Sequence, residues 1–183
     1  VESASSEVEV IRWCRRGESI AEDLREMHAD RVEGHYYGAI FLGLRAQNQR
    51  ARAAFFLSDL EELGRRAVEL DESFDDAGPL RFMGMFLVNA PSWPFGPGDA
   101  EEGLELMERA NELSGYPLND ILLARAFVEN GDERSACQSL TEAVTAPHEG
   151  RWSMTEQRWR PEAERIAAEI NCQLQGPEIA VVE

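Results

Sequence analysis

The sequence predicts an all-α chain made of serial antiparallel helix pairs, and three observations carry that expectation. Apolar residues recur at i, i+3, i+4 and i+7 through most of the chain, the spacing that lays one stripe along a helix face. Several stripes open on a Ser or Asp followed three residues later by Glu: Ser19 with Glu22, Ser58 with Glu61, Asp99 with Glu102 and Ser153 with Glu156. In such a box the capping oxygen takes a free N–H of the first turn, and the Glu carboxylate returns to the cap's own N–H. Gly or Pro separates the stripes, at Gly17, Gly78-Pro79, Pro91 to Gly98, Gly131 and Pro147, where helices stop and chains turn.

Taken in order, Glu7 to Arg16 carries Val8, Ile11, Trp13 and Cys14 and is expected to end at Gly17. The Ser19 box then opens a second helix with Ile20, Ala21, Leu24, Met27 and His28 on one face, giving an N-terminal helix pair. GHYYGAIFLGL, residues 34–44, holds no formal charge; a helix without a charged face is buried on more than one side, so this one is expected at the centre. Gln47 to Phe56 reads as a long connection. The Ser58 helix follows with Leu60, Leu63, Gly64, Ala67 and Leu70, then a turn through Asp75, Asp76 and Gly78-Pro79, then a helix from Leu80 to Asn89 ended by Pro91. The Asp99 helix turns Leu104, Met107, Ala110 and Leu113 inward. Leu118 to Glu129 is the next helix, Asp132 caps Ser135 to Val144, and a last helix carries Ala163, Ile166, Ala167, Ile170 and Leu174. Residues 1–174 are expected to form one domain, with 175–183 as a tail.

Composition narrows the function. The formal net charge is −17, opposite in sign to a nucleic-acid contact face, so no nucleic acid is expected. The positive charge is all Arg. Lys is absent, which removes P-loop, Schiff-base and Ser–Lys chemistry. No stretch approaches the ~18 apolar residues of a membrane-spanning helix. His28, His35 and His148 lack ligand-spaced partners, and no H-E-x-x-H, G-x-S-x-G or G-x-G-x-x-G motif occurs, so no enzyme, metal or cofactor is expected. Cys14, Cys137 and Cys172 are distant and odd in number; each is expected as a small core residue without a disulfide.

Two features invite a binding reading. Arg45, Arg50 and Arg52 are the only formal charges between Glu33 and Asp59, an island that either neutralises neighbouring acidic helices or docks an anionic group. Trp93 and Phe95 lie in the loop Pro91 to Gly98, where they either fold back over the helix ends or present a rigid aromatic contact to a partner.

Aligning Gly98 on Gly131 superposes Gly103 on Ala136, Met107 on Leu140 and Ala110 on Ala143; in the preceding helix Gly84 matches Ala124 and Leu87 matches Phe127. This pattern resembles the tetratricopeptide (TPR) repeat over residues 5–147, as about four helix pairs plus a C-terminal capping helix, although Gly103 stands where Ala is usual and the Trp-Leu-Gly opening is missing. The resemblance implies a right-handed α–α superhelix, a TPR-like solenoid acting as a scaffold for a protein or peptide partner, in a homo-oligomer or hetero-complex. It places His35, Ala39, Leu42, Arg81, Met85, Asn89, Ile121, Arg125 and Val128 along the concave groove. HYYGAIFLGLRA, AVELDESFDDAGPLRFMGM and GDAEEGLELMERANELSG are further similar to the divergent repeats of the T component of TRAP transporters. That likeness implies a bacterial periplasmic or cell-envelope accessory protein that binds a solute-binding protein or a small hydrophobic ligand, whereas the general repeat is equally at home in the cytoplasm.

Overall fold

A computed structural model describes residues 7–145 and 156–174. Among the described residues the chain is all-helical: α1 (Glu7–Met27), α2 (Val32–Asn48), a 3-10 helix (Arg50–Phe56), α3 (Leu57–Asp71), α4 (Phe74–Asn89), α5 (Ala100–Leu113), α6 (Pro117–Glu129), α7 (Glu133–Thr145) and α8 (Glu156–Glu169). From α1 to α7 each helix packs on the next, and α8 covers both α6 and α7. No described helix is long and apolar enough to cross a membrane.

The N-terminal pair expected from Gly17 and Ser19 is one continuous helix. Gly17 is buried, and a Cβ there would stand 2.4 Å from the Phe41 ring of α2. The glycine therefore marks where α2 presses on α1 and does not end the helix. Ser19 has no free N–H to cap because it lies inside α1. The long connection after Gln47 is helical too, and the 3-10 segment runs straight into α3, so Ser58 falls inside the first turn; Phe56 occupies the cap position with no side-chain bond.

Asp99 and Asp132 cap as expected, but the return half of the Asp99 box does not form: the Asp99 N–H donates to the Leu87 carbonyl and the Glu102 carboxylate pairs with Arg65. Asp99 Oδ1 accepts from the N–H groups of Glu101 and Glu102 at 3.1 and 3.0 Å, and Asp132 accepts from the Ser135 N–H at 3.0 Å. Each cap is worth about 1 kcal/mol. The Pro147 stop, His148, the Ser153 box's capping residue and the tail lie outside the described residues.

The aligned positions of α5 and α7 are buried alike. Met107, Ala110, Ala136, Leu140 and Ala143 all have zero exposure. Gly103 is buried against α4, where its missing Cβ would meet the Gly84 carbonyl oxygen at 2.8 Å and the reciprocal position meets the Gly103 oxygen at 2.8 Å. Two helices crossing this closely have no room for Ala.

The C-terminal core gathers Ile121, Ala124, Leu140, Ala143 and Val144 from α6 and α7 with Trp159, Ala163, Ile166 and Ala167 of α8. The expectation of three unpaired cysteines is corrected here: Cys137 and Cys172 form a disulfide, with Cα atoms 5.6 Å apart. The chain after α8 returns beside α7, a tertiary approach across 35 residues of sequence that cysteine spacing does not encode. Cys14 is free and buried.

Candidate functional site

Between α2, α3 and α4 the fold leaves a cavity of about 700 Å³. One wall is α2, with Tyr36, Ile40, Gly43, Ala46 and Gln47; the 3-10 helix adds Arg50 and Ala53, and α3 adds Leu57 and Leu60. The facing wall is α4, with Gly78, Arg81, Phe82, Met85, Phe86 and Asn89, continued by Ala90, Pro91 and, from α6, Leu122. The asymmetry of side-chain size keeps the space open. Gly43 and Ala46 confront Phe82 and Phe86, whose rings lie parallel within 2° with centroids 6.3 Å apart. A Cβ on Gly43 would meet Phe82 only at 3.5 Å, so this glycine leaves room where Gly17 and Gly84 consume it.

The inner end is a polar clamp. Asp75, Asp76 and Ala77 are in the left-handed region, with φ of 52°, 56° and 63°, a run that costs about 1 kcal/mol or more per residue and must be held by its surroundings. Arg81 holds it: Nη1 donates to the Asp76 carbonyl at 2.9 Å and to Asn119 Oδ1 at 2.7 Å, and Nη2 donates to the Asp75 carbonyl at 3.3 Å. The Asn119 amide, fully buried, donates to the Asp76, Ala110 and Ser114 carbonyls, and the Tyr36 hydroxyl donates to Asp75 Oδ2 at 2.7 Å. Burial pushes the Tyr36 phenol above its ordinary value; Asp75 adds to the rise and Arg81 opposes it.

Aromatic rings stand exposed on segments next in sequence to the lining residues Ala53, Leu57 and Pro91. Loop 90–99 closes on itself through Gly98 N–H to the Pro91 carbonyl at 2.8 Å and Asp99 N–H to the Leu87 carbonyl at 3.1 Å. It lifts Trp93 and Phe95 outward to 87% and 84% exposure, so neither folds back over the helices. Phe55, between the lining residues Ala53 and Leu57, is 80% exposed.

The residues expected along the groove divide by helix. Arg81, Met85 and Asn89 all line the cavity. On α2 the lining face is Tyr36, Ile40, Gly43, Ala46 and Gln47, displaced from the expected one. Ala39 is fully buried, His35 lies 3.2 Å from the Ala29 carbonyl oxygen, and Leu42 borders a smaller cleft with Glu18, Arg25 and Arg45. Burial holds the His35 imidazole below its ordinary pKa. On α6, Ile121 has zero exposure, Val128 packs into the C-terminal core, and Arg125 pairs with Glu169 at 3.0 Å and Glu162 at 3.6 Å. Ile121 is thus sealed in the core and Arg125 is held by α8, while Val128 keeps only partial exposure beside that core.

The arginine island also divides. Arg45 is half-buried, 2.7 Å from Glu18 and over the Phe56 ring at 4.5 Å, a structural pair that ties α1 to α2 and the 3-10 helix. Burial raises the Glu18 pKa against the pull of Arg45. Arg50 and Arg52 are exposed. Comparison with known proteins adds no family: no protein-family model and no curated protein matches the chain.

Proposed function

We propose that this chain is a non-catalytic binding module, TPR-like in construction, whose α2–α4 cavity holds a small apolar guest. The cavity carries the reading. Its volume of about 700 Å³ falls within the roughly 300–1,000 Å³ of small-molecule sites, and its walls are mainly apolar side chains and small helix residues. Burying a guest there gains about 0.8 kcal/mol per methylene before the cost of immobilising it. The correspondence of Gly103, Met107 and Ala110 with Ala136, Leu140 and Ala143 supports the stacked-pair architecture, and the apolar cavity suits an accessory protein of the TRAP T kind. The Cys137–Cys172 disulfide favours an oxidising compartment.

The test is equilibrium binding of a neutral single-chain probe, dodecanol, to the full chain and to Gly43→Leu. Leu is a better helix former than Gly, and it projects into the cavity from a position where a Cβ meets only ordinary contacts. Saturable binding by the parent protein and its loss in a fully helical Gly43→Leu protein is the expected result. Absence of saturable binding to the parent contradicts the reading.

A second reading, a groove and loop that dock a protein or peptide partner, is favoured by the exposure of Trp93 and Phe95, residue types enriched at interface hot spots. If a partner is recovered from the native host, Trp93→Ala with Phe95→Ala is expected to weaken its binding at least about tenfold; unchanged affinity removes the loop from the interface.

A further inference from the structure

We propose that the guest is an anionic amphiphile, an alkyl chain ending in a carboxylate or phosphate, with its tail between Gly43 and Phe82 and its head at Arg50. This rests on the reading of the cavity as an apolar guest site and adds the chemistry of the other end of the guest.

The argument is one of charge. The chain carries 35 acidic residues against 18 basic ones, yet among the described residues no acidic side chain lines the cavity, and the formal charges lining it there are Arg50 and Arg81. The two arginines differ in what they already hold. Arg81 is committed to the left-handed turn through the Asp75 and Asp76 carbonyls and Asn119, with the Asp75 carboxylate 3.7 Å away. Arg50 opens the 3-10 helix, is exposed, and has no carboxylate within ion-pairing distance among the described residues.

Its neighbour Arg45 shows what an arginine with an internal role does here, pairing with Glu18. Of the other polar groups lining the cavity near its rim, the Asn89 amide is turned back onto the Met85 carbonyl at 2.7 Å. A guest with a cationic end would be repelled at Arg50, and a neutral one would leave that guanidinium to water. A carboxylate or phosphate meets the guanidinium fork with two parallel hydrogen bonds. The long-range field of a chain of net charge −17 disfavours anions, so a preference for anionic guests must come from this local group.

The experiment titrates the full chain, by calorimetry at neutral pH and below micelle-forming concentrations, with dodecanoate, dodecyl phosphate, dodecanol and dodecylamine. Three proteins are compared: the parent, Arg50→Gln and Gly43→Leu, each checked by circular dichroism. At least one anionic probe is expected to bind the parent about tenfold more tightly than dodecanol, the scale of one charge-assisted pair, and dodecylamine is expected to bind most weakly. Arg50→Gln should bring the anions to the level of dodecanol and leave dodecanol unchanged; Gly43→Leu should remove all binding. Whether dodecanoate or dodecyl phosphate leads then separates a free fatty-acid type of guest from a lipid-phosphate one. Dodecanol binding as tightly as both anions, or an anion preference that survives in Arg50→Gln, overturns the head-group assignment while the apolar site stands. No binding of any probe overturns the cavity reading itself.

Discussion

On the Gly84–Ala124 correspondence, Arg81 of α4 matches Ile121 of α6, and Met85 matches Arg125. The two helices meet different fates. Ile121 is sealed in a core with Leu140, Trp159 and Ile166, and Arg125 is used to pin α8 through Glu162 and Glu169. Met85 faces a cavity, and Arg81 is spent inside the protein on the left-handed turn. The difference lies in what stands opposite: α8 folds over α6 and α7 and is fastened by the Cys137–Cys172 disulfide, while the corresponding side of α4 faces α2 and α3 across a gap lined by the small residues Gly43, Ala46 and Ala53. Similar helix surfaces thus become core where a further helix closes them and cavity wall where the facing helices leave a gap.

If that contrast is right, truncation should be costlier on one side than on the other. Ile166→Ala is expected to cost about 4 kcal/mol, as for a fully buried large aliphatic residue, whereas Met85→Ala, which borders the cavity on one side and packs on Met107, Leu123 and Ala126 on the other, should cost about half as much, roughly 2 kcal/mol. Urea denaturation of both variants measures the ratio, and equal losses would break the comparison. Reducing the disulfide should lower stability by about 4 kcal/mol, the scale for a loop of 35 residues in the chain-entropy account. Denaturation with and without reductant reads this, and hydrogen exchange should report the loss in α7 and α8 while α2 and α3 stay protected.

A smaller effect depends on pH. Asp120, at the start of α6 and 9% exposed, has its carboxyl pushed up to about 6, first by burial and further by Glu142, with the Asn111 amide opposing. Because the folded-state value is raised, the contribution of this group favours the fold fully below its unfolded value and is lost as pH rises through 6. Asp120→Asn should therefore be more stable than the parent by about 2 kcal/mol above about pH 7 and nearly equal to it below about pH 4. A difference independent of pH would show that Asp120 is not the cause. Smallest of all, Trp93→Ala and Phe95→Ala should change stability by less than about 0.5 kcal/mol each, since both rings are exposed.

The helical class was legible because stripes, Asp caps and Gly or Pro stops agreed from α5 to α7. Where one signal served two purposes the reading failed. Gly17 stands in a helix-ending context, but its role is contact with Phe41, a tertiary fact with no local signature. Ser19 and Ser58 carry the residues of a capping box, yet both lie where the backbone N–H groups are already engaged. The cavity was half legible. On α4 the series Arg81, Met85 and Asn89 points into it, whereas α2, apolar on every side, has no stripe to distinguish Ala39 and Leu42 from Ile40 and Gly43. The closure of α6 by α8 and the disulfide depend on contacts across more than thirty residues, beyond the reach of periodicity.

The central claim is that apolar guests enter the space beside α4 and not the core beside α6. Methyl NMR of the protein labelled at its five methionines reads this directly, because Met85 lines the cavity and Met107 is sealed between helices with zero exposure. Adding dodecanol is expected to shift the Met85 methyl resonance progressively to saturation while Met107 stays in place. Saturable binding that leaves Met85 unmoved would contradict the account.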